Sequence, residues 1–106
     1  MQLADLVYDL TEHFPSREWF GLAQQMRKTA VSIPSNIAEG TRYQTPGYVH
    51  HLTIALDSHG ELDTQCELAT RRGFIKPADR DTLVSLLEET GRVTHGLRRS
   101  LKARDR

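Results

Sequence analysis

A proline interrupts a run of residues that otherwise keeps the spacing of an α-helix. Apolar residues recur every three or four positions on both sides of Pro34, with no phase slip across it. They are Trp19, Leu22 or Ala23, Met26, Ala30, Ile33 and Ile37. An interior proline removes a backbone hydrogen bond and clashes with the carbonyl four residues back, at a cost of about 3 kcal/mol. The pattern therefore predicts one long helix that passes through Pro34 and ends at Gly40, with either a bend or a use for the carbonyl freed near Ala30.

Polar side chains flank this proline: Ser32, Ser35, Asn36 and Glu39. Asn36 and Glu39 are three residues apart and share a helix face, and Arg42 follows just beyond the helix. One interpretation is a buried Asn36–Glu39–Arg42 cluster that binds a phosphate or organises a subunit contact. We favour the other, in which Ser35 and Asn36 satisfy the backbone around the proline. Arg42 then pairs with Glu39.

The rest of the chain repeats the helical periodicity, and no stretch alternates apolar and polar residues between turns as a strand does. Four helices are predicted: about Leu3 to His13, from Ser16 as N-cap to about Gly40, from near Pro46 to about Arg72–Gly73, and from Pro77 onward. The connections are short, which favours antiparallel neighbours. The prediction is a single all-α domain over residues 1–106, an antiparallel up-down-up-down four-helix bundle with a shortened first helix.

The charges of the chain sum to zero but are unevenly distributed. Lys and Arg number 14, as do Asp and Glu, and this balance does not favour a protein that coats nucleic acid through bulk charge. The C-terminal end is nevertheless basic. The candidate residues for a nucleic-acid or partner surface are Arg27, Lys28, Arg42, Arg71, Arg72, Arg98 and Arg99. The alternative is that they are solvated charges and helix-end cations, since no interleaved aromatic residues indicate base stacking.

Metal and nucleophile chemistry have little support in the sequence. His50 and His51 are adjacent, so they diverge by about 100° on a helix and cannot chelate one ion. No paired Glu-x-x-His motif is present, and the serines lack a glycine-flanked elbow. No metal and no cofactor is therefore expected. With one cysteine, no signal peptide and no apolar run of about 20 residues, a cytoplasmic protein without membrane association is the expectation.

The segment around Pro34 also carries a family resemblance. The run S-I-P-S-N-I-A-E-G, preceded by L-T-E-H-F-P and Q-M-R-K-T-A-V, resembles the four-helix-bundle family first noticed as proteins encoded in 23S rRNA intervening sequences. The accessory variability protein of diversity-generating retroelements looks like a relative. The resemblance runs from about Val7 to about Leu101. It implies a small bacterial bundle, usually a homopentamer, with nucleic-acid association proposed for some members and no enzymatic activity.

This chain departs from the family pattern in two places. Relatives usually carry further helical turns before the position of Leu3. Either the start is native and the bundle has an open end, which would expose parts of the long helices to solvent or to a partner chain, or the sequence is truncated. An Arg-Gly pair that relatives show near Leu56–Asp57 is replaced here. No role of that arginine is therefore carried over.

The expected function is that of a non-enzymatic, self-assembling bundle, with a pentamer favoured, that acts as an accessory factor binding RNA, DNA or a protein. Apolar residues on a second face support a contact between copies. Trp19 and Phe20 are consecutive and cannot both point into the same seam, and Val31 and Ile54 lie outside the main stripes. One alternative is a small enzyme with a cleft at the Pro34 bend that uses Glu39 as acid or base. Another is an antitoxin-like or adaptor module whose basic tail orders on binding.

Overall fold

The computed structural model describes residues 2–104 as four α-helices, with a short 3-10 helix at Ser16–Glu18. Helix α1 covers Gln2–Thr11, α2 Leu22–Gly40, α3 Thr45–Arg71 and α4 Pro77–Arg104. Contacts join α1 to α2 and α4, and α3 to α2 and α4. The body is 48 Å long. Because these residues contain helices and no strand, the predicted all-α four-helix bundle with a short first helix is confirmed.

Helix α2 begins later than the sequence pattern indicates. The prediction started it after Ser16 and gave it about 25 residues, but it has 19 and starts at Leu22. Gly21 precedes it with non-helical backbone angles (φ −110°, ψ −113°), and the Trp19 indole Nε1 donates to the carbonyl of Phe14 at 3.3 Å. Trp19 therefore lies outside the helix and is 56% exposed, instead of joining the apolar stripe.

Helix α3 ends at a glycine, as predicted. Gly73 has φ +77°, in the region that favours glycine. Its N–H donates to the carbonyl of Thr70 at 3.0 Å, and the N–H of Phe74 donates to that of Ala69 at 2.9 Å. This is the Schellman arrangement. Phe74 then packs on Phe14 with 5.4 Å between ring centroids, so the α3–α4 connection is held against the α1–α2 connection.

Gly40 ends α2 for a different reason from the one predicted. Among the described residues only Gly73 has a positive φ, and Gly40 is an ordinary last helical residue followed by Thr41 in helical conformation. Gly40 is buried against α3, where a Cβ would lie 2.8 Å from the Tyr48 ring. The close approach of two helices, rather than backbone geometry, therefore requires the glycine.

The core is built by all four helices. Val7, Met26, Leu62 and Leu83 have no exposed area, and Ile33 next to the proline is 2% exposed. Burying a side chain of this size contributes about 1.5–3 kcal/mol. Within the described residues, none of the helices combines the length and the apolar character that a bilayer crossing requires.

Candidate nucleic-acid interface

Asn36 joins helices α2 and α3 beside Pro34. Its Nδ2 donates to the backbone carbonyl of Ser32 at 2.9 Å and to the Ser32 hydroxyl at 3.1 Å. Its Oδ1 lies 3.1 Å from Nδ1 of His51 on α3, and a carboxamide oxygen can only accept, so His51 donates there. The amide therefore engages Ser32 instead of the carbonyl near Ala30, and Ser35 is exposed.

Further polar contacts continue along the α2–α3 seam. The hydroxyls of Ser32 and Ser58 lie 2.8 Å apart, and Thr29 Oγ1 lies 3.5 Å from a carboxylate oxygen of Glu61. Together with Asn36 and His51 they form a row of hydrogen bonds between α2 and α3, the two helices with the most extensive mutual contact in the bundle. Of the polar residues in the S-I-P-S-N-I-A-E-G segment, Ser32 and Asn36 thus serve helix–helix packing.

Glu39 and Arg42 form an exposed ion pair. The Arg42 guanidinium lies 3.7 Å from the Glu39 carboxylate, with side chains 78% and 42% exposed, and the Tyr43 hydroxyl donates to the same carboxylate at 3.4 Å. Asn36 is turned to His51 and not to this pair. The buried Asn36–Glu39–Arg42 cluster is therefore absent, and the pairing that the sequence favoured is present.

A groove of about 370 Å³ does lie beside Pro34, between α2, α4 and the start of α1. Its apolar wall includes Ile37 and Leu86, and Val93 on its rim is 64% exposed. The carboxylate at this groove belongs to Glu89 of α4, whereas Glu39 does not line it. The geometry required by the enzyme alternative, with Glu39 in a cleft, is therefore not met.

The seven basic candidates do not gather on one surface. Arg27 contacts α1. Its Nε donates to Thr11 Oγ1 at 2.7 Å, and its guanidinium lies 4.8 Å from the Tyr8 ring centroid. Arg71 pairs with Glu67 at 3.3 Å. Arg71 and Arg72 end the 27-residue α3, about 40 Å along the helix from its start near Arg42.

Lys28 is exposed on α2. The last two candidates, Arg98 and Arg99, belong to a groove of about 340 Å³ on α4. We call it the α4 basic groove, formed by His95, Arg98, Arg99 and Lys102. Arg98 is half-buried; its Nη1 donates to Thr53 Oγ1 on α3 at 3.3 Å, and its Nη2 lies 3.5 Å from His95 Nδ1. One arginine is thus held in place across two helices, while the other three side chains are exposed.

The second half of α4 carries positive charge without a carboxylate of its own. Residues 90–104 contain Arg92, Arg98, Arg99, Lys102 and Arg104 but no Asp or Glu. Residues 45–56 of α3, which include Thr53 beside Arg98, contain no Asp, Glu, Lys or Arg, and Asp57 follows one turn beyond Thr53. The ion pairs found within residues 2–104 involve none of these five cations. The groove therefore lies between side chains on one face of α4, in a stretch of that helix that carries positive charge and no carboxylate.

The sequence interpretation did not assign His95 and Lys102 to a site. The signal was present, since positions 95, 98, 99 and 102 are spaced as one helix face. The contribution of Thr53 has no comparable signal, because it depends on how α3 and α4 are aligned. Across the described part of the chain, no three His, Cys, Asp or Glu side chains converge as a metal site would require.

Comparison with known proteins identifies the family. The sequence model of the 23S rRNA-intervening sequence protein matches residues 1–96, and the chain therefore belongs to that family. No curated protein matches the chain at a significant level. Arg98, Arg99 and Lys102 of the α4 basic groove lie beyond the matched residues.

Proposed function

We propose that this member of the 23S rRNA-intervening sequence protein family is a non-enzymatic bundle that self-assembles, in a homopentamer, and binds nucleic acid through the basic end of α4. It would act as an accessory factor in the cytoplasm, a reducing compartment to which the free buried thiol of Cys66 is suited. The observation that carries the proposal is the carboxylate-free stretch of residues 90–104 around the α4 basic groove.

Nucleic-acid binding follows from that charge distribution. Arg and Lys side chains that neutralise backbone phosphates release condensed counterions, and this release drives binding without sequence preference. Arg98 and Arg99 also offer planar guanidinium donors that match phosphate geometry. A ring of subunits would repeat the groove, so that the weak attraction of one copy is multiplied.

Self-assembly is supported by aromatic side chains that the single chain leaves uncovered. Phe20 is 91% exposed, next to Trp19 at 56%, and Val31 on α2 is 40% exposed. Exposed aromatic residues of this kind are enriched at protein contacts. Acidic residues of α1, such as Asp5 and Asp9, could face the basic end of a neighbouring copy.

The absence of enzymatic activity is part of the proposal. Glu39, the carboxylate that the enzyme alternative depends on, is engaged with Arg42 and Tyr43 on an open surface. The adaptor alternative required a tail that is unstructured before binding, but α4 is helical through Arg104. These two observations favour the non-enzymatic bundle over both alternatives.

Binding is tested by fluorescence anisotropy of a labelled oligonucleotide over a range of salt concentrations. Three engaged cations per subunit predict a slope of about −2 in a plot of log K against log salt, or a steeper slope if several copies contribute. Arg99→Glu combined with Lys102→Glu should abolish binding, whereas Arg72→Glu at the opposite end serves as the matched control. The absence of binding at low salt would end the nucleic-acid proposal.

Assembly is tested by sedimentation equilibrium at micromolar concentration. The wild-type protein is expected at five times the chain mass, and Phe20→Ser should weaken association at least tenfold, as loss of a buried aromatic anchor does. The same change should leave the thermal midpoint of the separated chain unaltered, since Phe20 makes little contact within it. A wild-type protein that stays monomeric would refute self-assembly.

A further inference from the structure

The α4 basic groove carries more positive charge than an internal backbone phosphate can balance. Arg98, Arg99 and Lys102 supply three permanent cations, and His95 supplies a fourth polar group, within one groove of about 340 Å³. A phosphodiester has a single negative charge. A phosphomonoester has a charge of roughly −1.5 to −2 near neutral pH and offers three acceptor oxygens. Charge and donor number therefore match the monoester better.

The donors of the groove are also partly arranged for such a ligand. Nδ1 of His95 faces Nη2 of Arg98, a group that can only donate, so the neutral imidazole holds its proton on Nε2. Nε2 is then a free donor. Thr53 accepts from the other terminal nitrogen of Arg98 and fixes the guanidinium. Arg98 is thereby partly pre-organised, which lowers the entropy lost on binding.

Helix-end electrostatics does not explain the whole cluster. Cations in the last turn of a helix are stabilised by its partial negative charge, and Lys102 and Arg104 fit that explanation. That effect fades within one turn. His95, Arg98 and Arg99 lie further from the end at Arg104, so their shared face and missing carboxylates need another cause.

We infer that His95, Arg98, Arg99 and Lys102 form a binding site for a phosphomonoester, and that its ligand is the phosphorylated end of a nucleic-acid strand. The inference rests on the proposed nucleic-acid binding and assigns its specificity. The volume of the groove is at the lower end of the range for small-ligand sites, enough for a terminal phosphate and part of its nucleotide. The strand then leaves along the remaining cations of the same helix.

The test compares three short, internally labelled oligouridylates: one with a 5′-phosphate, one with a 3′-phosphate and one with hydroxyls at both ends. Anisotropy titrations at fixed salt should show binding about tenfold tighter for one of the phosphorylated strands, since charged hydrogen bonds are gained only there. Arg99→Ala and Lys102→Ala should remove this preference, and Arg72→Ala should keep it. These side chains are exposed, and circular dichroism should show unchanged helix content in all variants.

Competition with uridine monophosphate and inorganic phosphate distinguishes the outcomes. Equal affinity for all three strands would overturn the terminal-phosphate inference while leaving nucleic-acid binding intact. Binding of uridine monophosphate or phosphate without binding of any strand would support the phosphomonoester site, but it would refute a strand end as the ligand and with it the proposed function. Failure of every probe would refute both.

Discussion

His59 of α3 lies directly over Gly91 of α4, so closely that a Cβ on the glycine would be 2.8 Å from His59 Nε2. The same nitrogen donates to the carbonyl of Leu87, one turn earlier, at 2.5 Å. His59 thus connects the two helices through a hydrogen bond. A side chain larger than hydrogen at position 91 would displace the ring.

Gly91→Ala should therefore destabilise the protein, although alanine is the better helix former. Overpacking costs about 1–3 kcal/mol, against a gain of about 1 kcal/mol in helix propensity. The matched control is Gly60→Ala in α3, where a Cβ would meet nothing within 4 Å and only the gain applies. Urea denaturation should show opposite signs for the two variants. A stabilised Gly91→Ala would mean that the ring moves aside without loss.

Asn36→Ala should lower the free energy of unfolding by about 1–3 kcal/mol, because it leaves His51 and Ser32 without their shared partner. Ser35→Ala is the comparison: it lies in the same helix, gains a similar propensity and is exposed. Its effect should stay within about 0.5 kcal/mol. Similar midpoints for the two variants in urea would contradict a structural role for the amide.

Arg27→Met should loosen α1 without altering the charge of the α4 basic groove. The change keeps an unbranched chain but removes the hydrogen bond to Thr11 and the cation–π contact with Tyr8, together worth about 1–2 kcal/mol. Amide hydrogen exchange in α1 should accelerate by about an order of magnitude. The neighbouring Lys28→Met, an exposed position, should leave exchange unchanged. Equal protection in both variants would show that Arg27 does not secure the helix.

Cys66 should make the protein less stable in alkali. Burial raises the pKa of its thiol above the ordinary value of 9.0, and the nearby charge of Arg80 only partly opposes this shift. The unfolded chain loses the proton first, so stability is complete below that ordinary pKa and falls as the pH rises above it toward the pKa of the folded state. Thermal midpoints should show this decline in the wild type and a smaller one in Cys66→Ala. Identical profiles would contradict the prediction.

The helices could be predicted because their signals are local. Gly73 predicts the end of α3 and Pro77 predicts the start of α4, each to within two residues. The predicted start of α2 was wrong because the apolar spacing already begins at Trp19, in a turn between the 3-10 helix at Ser16–Glu18 and Gly21, the residue before α2. Apolar spacing alone does not distinguish the two conformations.

The candidate site was less predictable because it depends on distances between helices. In the sequence, Arg27 and Arg98 are equivalent candidates. In the structure, Arg27 contacts Tyr8, whereas Arg98 lies in an open groove. The partner of Asn36 lies fifteen residues away on another helix. Such pairs depend on the axial alignment of neighbouring helices. Residue spacing within a single helix does not indicate this alignment.

Helix α4 carries Asp79, Asp81, Glu88 and Glu89 in its first half and only cations in its second. The first half of α4 therefore has a net negative charge and the second half a positive one, and a rod charged in this way has a large permanent dipole moment. In the field of a polyanion such a rod turns its cationic end forward before contact, which raises the rate of productive encounter. Its association rate should therefore slow with added electrolyte as that of a basic protein does, despite an isoelectric point near neutrality.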